Sequence, residues 1–374
     1  MRKIAIITVY TNINYGSALQ SYALQSIIKE LGYQCENIKY IPKRKFSSRL
    51  ISVIKDPSRI IGRLFPGGSI GRCKRFRDFV NKHIDKSDHC YRSIDELKLT
   101  NELYDVFVCG SDQIWAPNLF NEVYYLSFVD NNYKKIAYAP SIGLPIIPNN
   151  LKSHMALLLR GIKYLSVREK QGADIIKELT GIDVPVVLDP TLLIRKNKWV
   201  SVASETKIKG EYILCYFLGG NIKHRELVEK YKQKTGYKIV VLPFSACDYS
   251  WGDITLKDVG PLEFVGLVNN ARIIFTDSFH GALFSINLNR PFNVFMRFTE
   301  DHILCQNSRI VNILDMLGLS HRLVRDDALE IKNDSNIDYE SVNKILETKR
   351  KHSADYLKTS LRESISWSEK NKHA

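Results

Sequence analysis

The sequence predicts an α/β protein built from two Rossmann-like, doubly wound domains that face a cleft. Three observations carry this. Apolar strand-like runs alternate with amphipathic helical runs along most of the chain. The pattern ends at Asp189-Pro190-Thr191 and then starts again. Polar turn residues recur where apolar runs end, which is where open parallel sheets bind ligands. The divisions are 1–192, 193–330 and a C-terminal helix over 331–374 able to cross back to the first domain.

The elements follow in order. "KIAIITVY" reads as a strand and "SALQSYALQSIIKELG" as a helix closed by Gly32. "YDVFVCG" is a strand, "KKIAYAPSIG" a strand and turn, and "NNLKSHMALLLRGI" a helix. "YLSVRE" is a strand, "KQGADIIKELTG" a helix and "VPVVLD" a strand. After the restart, "EYILCYFLGG", "YKIVVLPF", "RIIFT" and "PFNVFM" are strands. Between them lie the helices "KHRELVEKYKQKTG", "GPLEFVGLVNNA" and "FHGALFSINLN". "DYESVNKILETKRKHSADYLKTSLRESISW" is a long amphipathic helix.

Composition narrows the class. A chain of 374 residues with 44% hydrophobic content has room for two domains, each with its own core. The first apolar run is too short for a signal peptide and no run is long enough to span a membrane, so a cytoplasmic protein is expected. Seven scattered cysteines without a CxxC pair argue against a disulfide framework or a zinc knuckle, and Cys109 and Cys215 read as small buried hydrophobes. The net charge of +14 favours an anionic partner. Between Pro42 and Arg77, eleven Lys/Arg face a single acid, Asp56, with apolar residues interleaved. That segment suits an anionic membrane surface at the inner face of the membrane, or equally a solvated face of ordinary helices. No nucleic-acid signature accompanies it.

Five segments place polar groups at strand ends. Asn14, Tyr15, Gly16 and Ser17 open the first helix, whose free N–H groups favour an acceptor or an anion. In "VCGSDQIWAPN", Asp112 is a candidate base for a hydroxyl, Gln113 a hydrogen-bonding group and Trp115 a stacking face; the plainer alternative is a capping aspartate and a packed tryptophan. In "YLSVREKQGAD", Arg168 can fork a phosphate or carboxylate, or form a surface pair with Glu169. In "TDSFHGALFS", Asp277 or Ser278 caps a helix with His280 in its first turn. The helix dipole there favours a neutral ring and a bound phosphate dianion a charged one, so His280 is suited to donate a proton once an anionic substrate arrives. Ser308 and Arg309 open a further helix. No His/Asp/Glu cluster at metal-ligand spacing is present, and neither a nicotinamide nor a P-loop motif appears.

Taken together, "NYGSALQSYALQ", "VCGSDQIWAPN", "AYAPSIG", "YLSVREKQGADIIKELTG", "VVLDPTLL", "TDSFHGALFSINLNRPF" and "SRIVNILDMLGL" resemble, in this order over roughly residues 4 to 320, the polysaccharide pyruvyl transferase family. The resemblance implies a GT-B-like fold, with the first domain on the acceptor side of the cleft and the second on the donor side, and transfer of a pyruvyl group from phosphoenolpyruvate to a sugar. The acceptor would be a surface polysaccharide or its lipid-linked precursor, the product a pyruvate ketal, and no cofactor or metal would be needed. It links His280 and Arg168 to the donor. Many members carry an arginine two residues before that histidine, where this chain has Ser278; Arg309, Arg168 or helix N–H groups then supply the positive potential. On this basis His280 is the acid, Asp112 the base, and Arg168, Ser278 and Arg309 hold the donor. Asn14, Tyr15, Gly16, Ser17, Gln113 and Trp115 face the acceptor or an anion. Ser278 also leaves room for a nucleotide-sugar glycosyltransferase, and the basic segment for a non-catalytic membrane-surface partner in polysaccharide assembly.

Overall fold

The computed structural model describes residues 2–42, 70–205, 208–299, 305–325, 327–331 and 337–370. The first sheet is built from β1 (Lys3–Ile7), β2 (Gln34–Tyr40), β3 (Lys86–Tyr91), β4 (Val106–Cys109) and β5 (Lys135–Ala137), in the order β3-β2-β1-β4-β5. Helices α1 (Tyr15–Glu30) and α2 (Ile70–His83) lie between its first strands, and α3 (Asn149–Arg160) and α4 (Lys170–Thr180) follow β5. Two short helices, Pro190–Leu193 and Lys196–Val202, lead to the second half. There the strands are β6 (Tyr212–Tyr216), β7 (Lys238–Val241), β8 (Ile254–Thr255), β9 (Ile273–Thr276), β10 (Phe292–Phe295) and β11 (Leu323–Val324). They are ordered β11-β10-β9-β6-β7-β8. Its helices are α5 (Ile222–Thr235), α6 (Pro261–Asn270), α7 (Phe279–Asn287) and α8 (Ser308–Met316).

The registered strand pairs of both sheets are parallel. Each sheet reverses its winding direction once, between β1 and β4 and between β6 and β9. Open α/β sheets bind ligands outside the carboxyl ends of strands at such switch points. Two stretches expected as strands are not. "YLSVRE" and "VPVVLD" contribute only the isolated bridges Ile136–Tyr164 and Val167–Val186. The hydroxyl of Ser166 takes up the carbonyl of Ala137 (2.7 Å) and the N–H of Ala139 (3.2 Å), groups a ladder would otherwise use.

Strand residues alternate between two apolar layers, as a period of two requires. Ile4, Ile6, Val106 and Val108 of the first sheet share one buried cluster with Leu214, Tyr216, Val240 and Ile274 of the second. The intervening residues face outer clusters, Ala5, Ile7, Phe107 and Cys109 on one side and Ile213, Cys215, Ile239 and Phe275 on the other. The two halves therefore share a central core, and each also keeps an outer apolar cluster of its own. Tyr15 crosses that layer, stacking on Phe264 at 4.5 Å between centroids and donating its hydroxyl to Val259 O at 3.2 Å.

The long helix α9 (Tyr339–Lys370) runs along both halves. Its buried positions Val342, Leu346, Arg350, Ser353, Leu357, Leu361, Ser364 and Ser368 recur every three or four residues, one stripe of a helix. Arg350 donates to Leu192 O (2.6 Å) and to Asn287 Oδ1 (2.7 Å). Farther along, Tyr356, Ser364 and Ser368 donate to the carbonyls of Ala137, Tyr133 and Asp105 in the first half.

Of the basic segment over 42–77, residues 43–69 lie outside the described residues. In the part that follows, Arg72 is buried and donates to the carbonyls of Pro243 (2.7 Å), Lys257 (3.0 Å) and Leu256 (3.3 Å). Arg75 pairs with Glu263. These two cations bind the second half of the molecule. Among the described residues no helix is long and apolar enough to cross a membrane.

Leu357 is fully buried beneath α9. Leu357→Ala is expected to cost about 2–5 kcal/mol, read as a lower urea midpoint with an unchanged slope.

Candidate active site

The switch points of the two sheets meet across a cavity of about 210 Å³. Its wall contains Asn12, Asn14 and Ser17 after β1, and Asp112 and Gln113 after β4. Leu218 comes from beyond β6, Ser278 to His280 from beyond β9, Arg297 from beyond β10 and Arg309 from α8. A larger groove of about 850 Å³ lies at the C-terminal end of α1, away from these strand ends. Three of its cations, Lys198, Arg195 and Arg350, are paired with Glu30 and Glu347.

Local chemistry fixes each wall. Asn14 caps α1, accepting from Ser17 N at 3.2 Å. Ser17 Oγ donates to Asp112 Oδ2 at 2.6 Å, joining the first two segments. Ser278 caps α7 through Gly281 N at 3.3 Å. Asp277 does not cap; its carboxylate accepts from Leu218 N (2.7 Å) and Gly219 N (2.8 Å) and pins the loop after β6. Arg297 Nη2 donates to Asp277 O at 2.8 Å, beside Ser278. Arg309 is buried against Gln306, and among the described residues it makes no ion pair with an acid. Burial, reinforced by the charge of Arg168, pushes its guanidinium down to about 9, so it stays cationic at neutral pH.

His280 is 6% exposed. Its Nε2 stands 3.4 Å from Asp189 Oδ2. Its ring lies against Gly16, where a Cβ would come within 2.0 Å of Nδ1. Asp189 Oδ2 also receives Arg168 Nη1 at 2.8 Å and Ser111 Oγ at 3.2 Å, while Oδ1 receives Thr191 N and Oγ1 at 3.0 and 2.8 Å. Burial alone would raise the Asp189 pKa. His280, Arg168 and the Thr191 N–H outweigh that cost and hold the carboxyl well below the ordinary range.

Some residues picked from sequence stand elsewhere. Trp115 offers no stacking face: it is fully buried, stacked on Tyr125 and bonded through Nε1 to Tyr124 O. An apolar ring beside a strand end was better used in the core. Tyr15 is likewise interdomain packing, and Gly16 makes room for His280. Arg168 and Glu169 are not a surface pair; both are buried, and Glu169 Oε1 accepts from Ser141 Oγ, Ile142 N and Gly143 N. Arg168 packs its guanidinium 4.3 Å from the Phe279 centroid, in the wall of a separate small cavity. Sequence reasoning missed Arg297 and Asp189. Each follows an apolar run, "NVFM" and "VVL", the same signal that marked the others. Among the described residues no group of three or more His, Cys, Asp or Glu side chains could hold a metal.

Residues 14–297 match the profile of a single family, polysaccharide pyruvyl transferase. The chain belongs to that family. As a polysaccharide pyruvyl transferase family member it is an enzyme, and its two parallel-sheet domains are GT-B-like. No curated protein sequence matches it. Its fold is similar to UDP-GlcNAc 2-epimerase from Neisseria meningitidis, at 10% identity and TM-score 0.48, covering 96% of this chain and 94% of that one. It is also similar to Arabidopsis thaliana UGT89C1 complexed with UDP-L-rhamnose, at 9% identity, TM-score 0.48 and 98% coverage of both chains. A third similar structure is E. coli ADP-heptose LPS heptosyltransferase II, at 14% identity and TM-score 0.38, covering 93% of this chain and 99% of that one.

Gly16→Ala forces the His280 ring to move, and is expected to abolish turnover and to cost about 1–3 kcal/mol of stability, read by urea unfolding. Because the Asp189 pKa is depressed in the fold, its contribution to stability is complete above about pH 4 and is lost as pH falls below that. Urea unfolding of the wild type should weaken on acidification through this range, and Asp189→Asn should weaken less.

Proposed function

We propose that the enzyme transfers the pyruvyl group of phosphoenolpyruvate to two hydroxyls of a sugar in a surface polysaccharide or its lipid-linked precursor. The observation that carries this reading is one cavity, at the switch points of both sheets, in which Arg309, without an acid partner among the described residues, and Arg297 stand with His280 and Asp112. Arg309 and Arg297 suit the carboxylate and phosphate of the donor. His280 suits the proton that goes to the methylene carbon. Asp112 already accepts from Ser17 through Oδ2, which leaves Oδ1 for a sugar hydroxyl.

The steps balance as follows. His280 gives a proton to C3 of phosphoenolpyruvate, and C2 becomes oxocarbenium-like. One sugar hydroxyl adds to C2 and releases its proton to Asp112. The bond from C2 to the phosphate oxygen breaks, the phosphate leaves, and a second hydroxyl adds to C2 to close the ketal. Its proton goes to the departing phosphate, and Asp112 returns a proton to His280 directly or through water. Asn12, Asn14 and Gln113 offer amide groups suited to sugar hydroxyls. The acceptor's lipid carrier and a site of work at the inner face of the membrane fit the basic chain upstream of α2.

A thermal-shift titration tests the donor. Phosphoenolpyruvate at one hundred times its dissociation constant should stabilise the wild type by about 2.7 kcal/mol, with the response lost in Arg309→Ala. His280→Ala should keep binding yet release no phosphate in the presence of acceptor. No response to phosphoenolpyruvate, with a response to a nucleotide sugar, would overturn the reading.

A further inference from the structure

We propose that Asp189 is a positioning residue. Its Oδ2 holds the Nε2–H edge of His280, which makes Nδ1 the nitrogen offered to a molecule in the cavity. Arg168 acts by fixing that carboxylate. The proposal rests on the reading of His280 as proton donor.

The two oxygens of Asp189 do different work. Oδ1 is committed to Thr191 N and Oγ1, the cap of the short helix Pro190–Leu193. A structural role would end there. Oδ2 instead faces inward to Arg168 Nη1 at 2.8 Å, Ser111 Oγ at 3.2 Å and His280 Nε2 at 3.4 Å. Nε2 is buried and makes no hydrogen bond of good geometry, and Asp189 at 3.4 Å is the one acid paired with it among the described residues. A bare lone pair there would repel the carboxylate, so the proton belongs on Nε2. At the other ring nitrogen, Nδ1, one face of the ring lies over Gly16, and His280 lines the cavity.

Arg168 completes the arrangement. It clamps Oδ2 and packs on Phe279, the residue that precedes His280 in the chain. It therefore holds both the carboxylate and the backbone that carries the ring. It is absent from the wall of the cavity shared by His280, Arg297 and Arg309.

Asp189→Asn keeps the shape and, through its remaining oxygen, the cap, but turns an amide NH2 toward Arg168 Nη1 and His280 Nε2–H. Donors then face donors, and the ring proton should move to Nδ1. Long-range proton–nitrogen spectra of the 15N-labelled full chain, at a pH where the ring is neutral, read this directly, with His280 assigned through His280→Gln. The expected result is a proton on Nε2 in the wild type and on Nδ1 in Asp189→Asn. With phosphoenolpyruvate and acceptor, kcat should fall about 10²- to 10⁴-fold with KM for phosphoenolpyruvate little changed. A bare Nε2 in the wild type, or an Asp189→Asn variant with unaltered proton position and kcat, would overturn the proposal. Should Asp189→Asn fail to fold, Arg168→Met decides: a lower kcat at constant KM supports positioning, whereas a higher KM at constant kcat makes Arg168 a donor ligand and sinks the idea. The spectra need no donor, so a failure of phosphoenolpyruvate as substrate would leave the result for Asp189 standing.

Discussion

The apolar layer shared by the two sheets is the constraint on which the rest depends. Because Ile4 and Val106 belong to the same buried cluster as Leu214 and Ile274, the halves cannot part without exposing it. That layer brings the switch point of the first sheet to the switch point of the second. Tyr15 and α9 then tie the two together with specific hydrogen bonds, which fix orientation where apolar contact alone would leave it loose. The cavity is a consequence of this join, since neither half has a complete wall of its own.

Electrostatics around the cavity follow from what the backbone already consumes. Asp277 is satisfied by the amides of Leu218 and Gly219, and Glu169 by those of Ile142 and Gly143. Each also keeps a cation, Asp277 with Arg297 at 3.6 Å and Glu169 with Arg168 at 3.9 Å. Arg309 has no acid partner among the described residues, and burial makes its charge costly until an anion arrives. Asp189 is the contrasting case. It remains ionised in the interior because a guanidinium, an imidazole and two groups of Thr191 surround it.

Much of this was legible in the chain. The alternation of elements and the restart after Asp189-Pro190-Thr191 gave the architecture, because period-two and helical apolar patterns are local properties of sequence. Strand-end polarity found Asn14, Ser17, Asp112, Ser278, His280 and Arg309, all of which reach the cavity wall. The weak points were also local. "QCENIKY" and "KSDHCY" carry too many polar residues to read as strands, yet they pair as β2 and β3 because β1 offers them a ladder. Ser166 diverts the backbone of a stretch whose apolar residues look like a strand.

By itself, then, the sequence determined the fold class, the family and the strand-end segments from which the site is made, since each is encoded in short-range pattern. Only the tertiary structure decided which way those side chains point. Trp115 and Tyr15 lie beside cavity residues in the chain but turn into packing, where burying a ring is favourable. Arg168 follows an apolar run, as Arg297 does, but its guanidinium is captured by Asp189, 21 residues away in the chain. Such choices depend on distances between separate loops of two domains, and those are set by the shared core, not by any local run of residues.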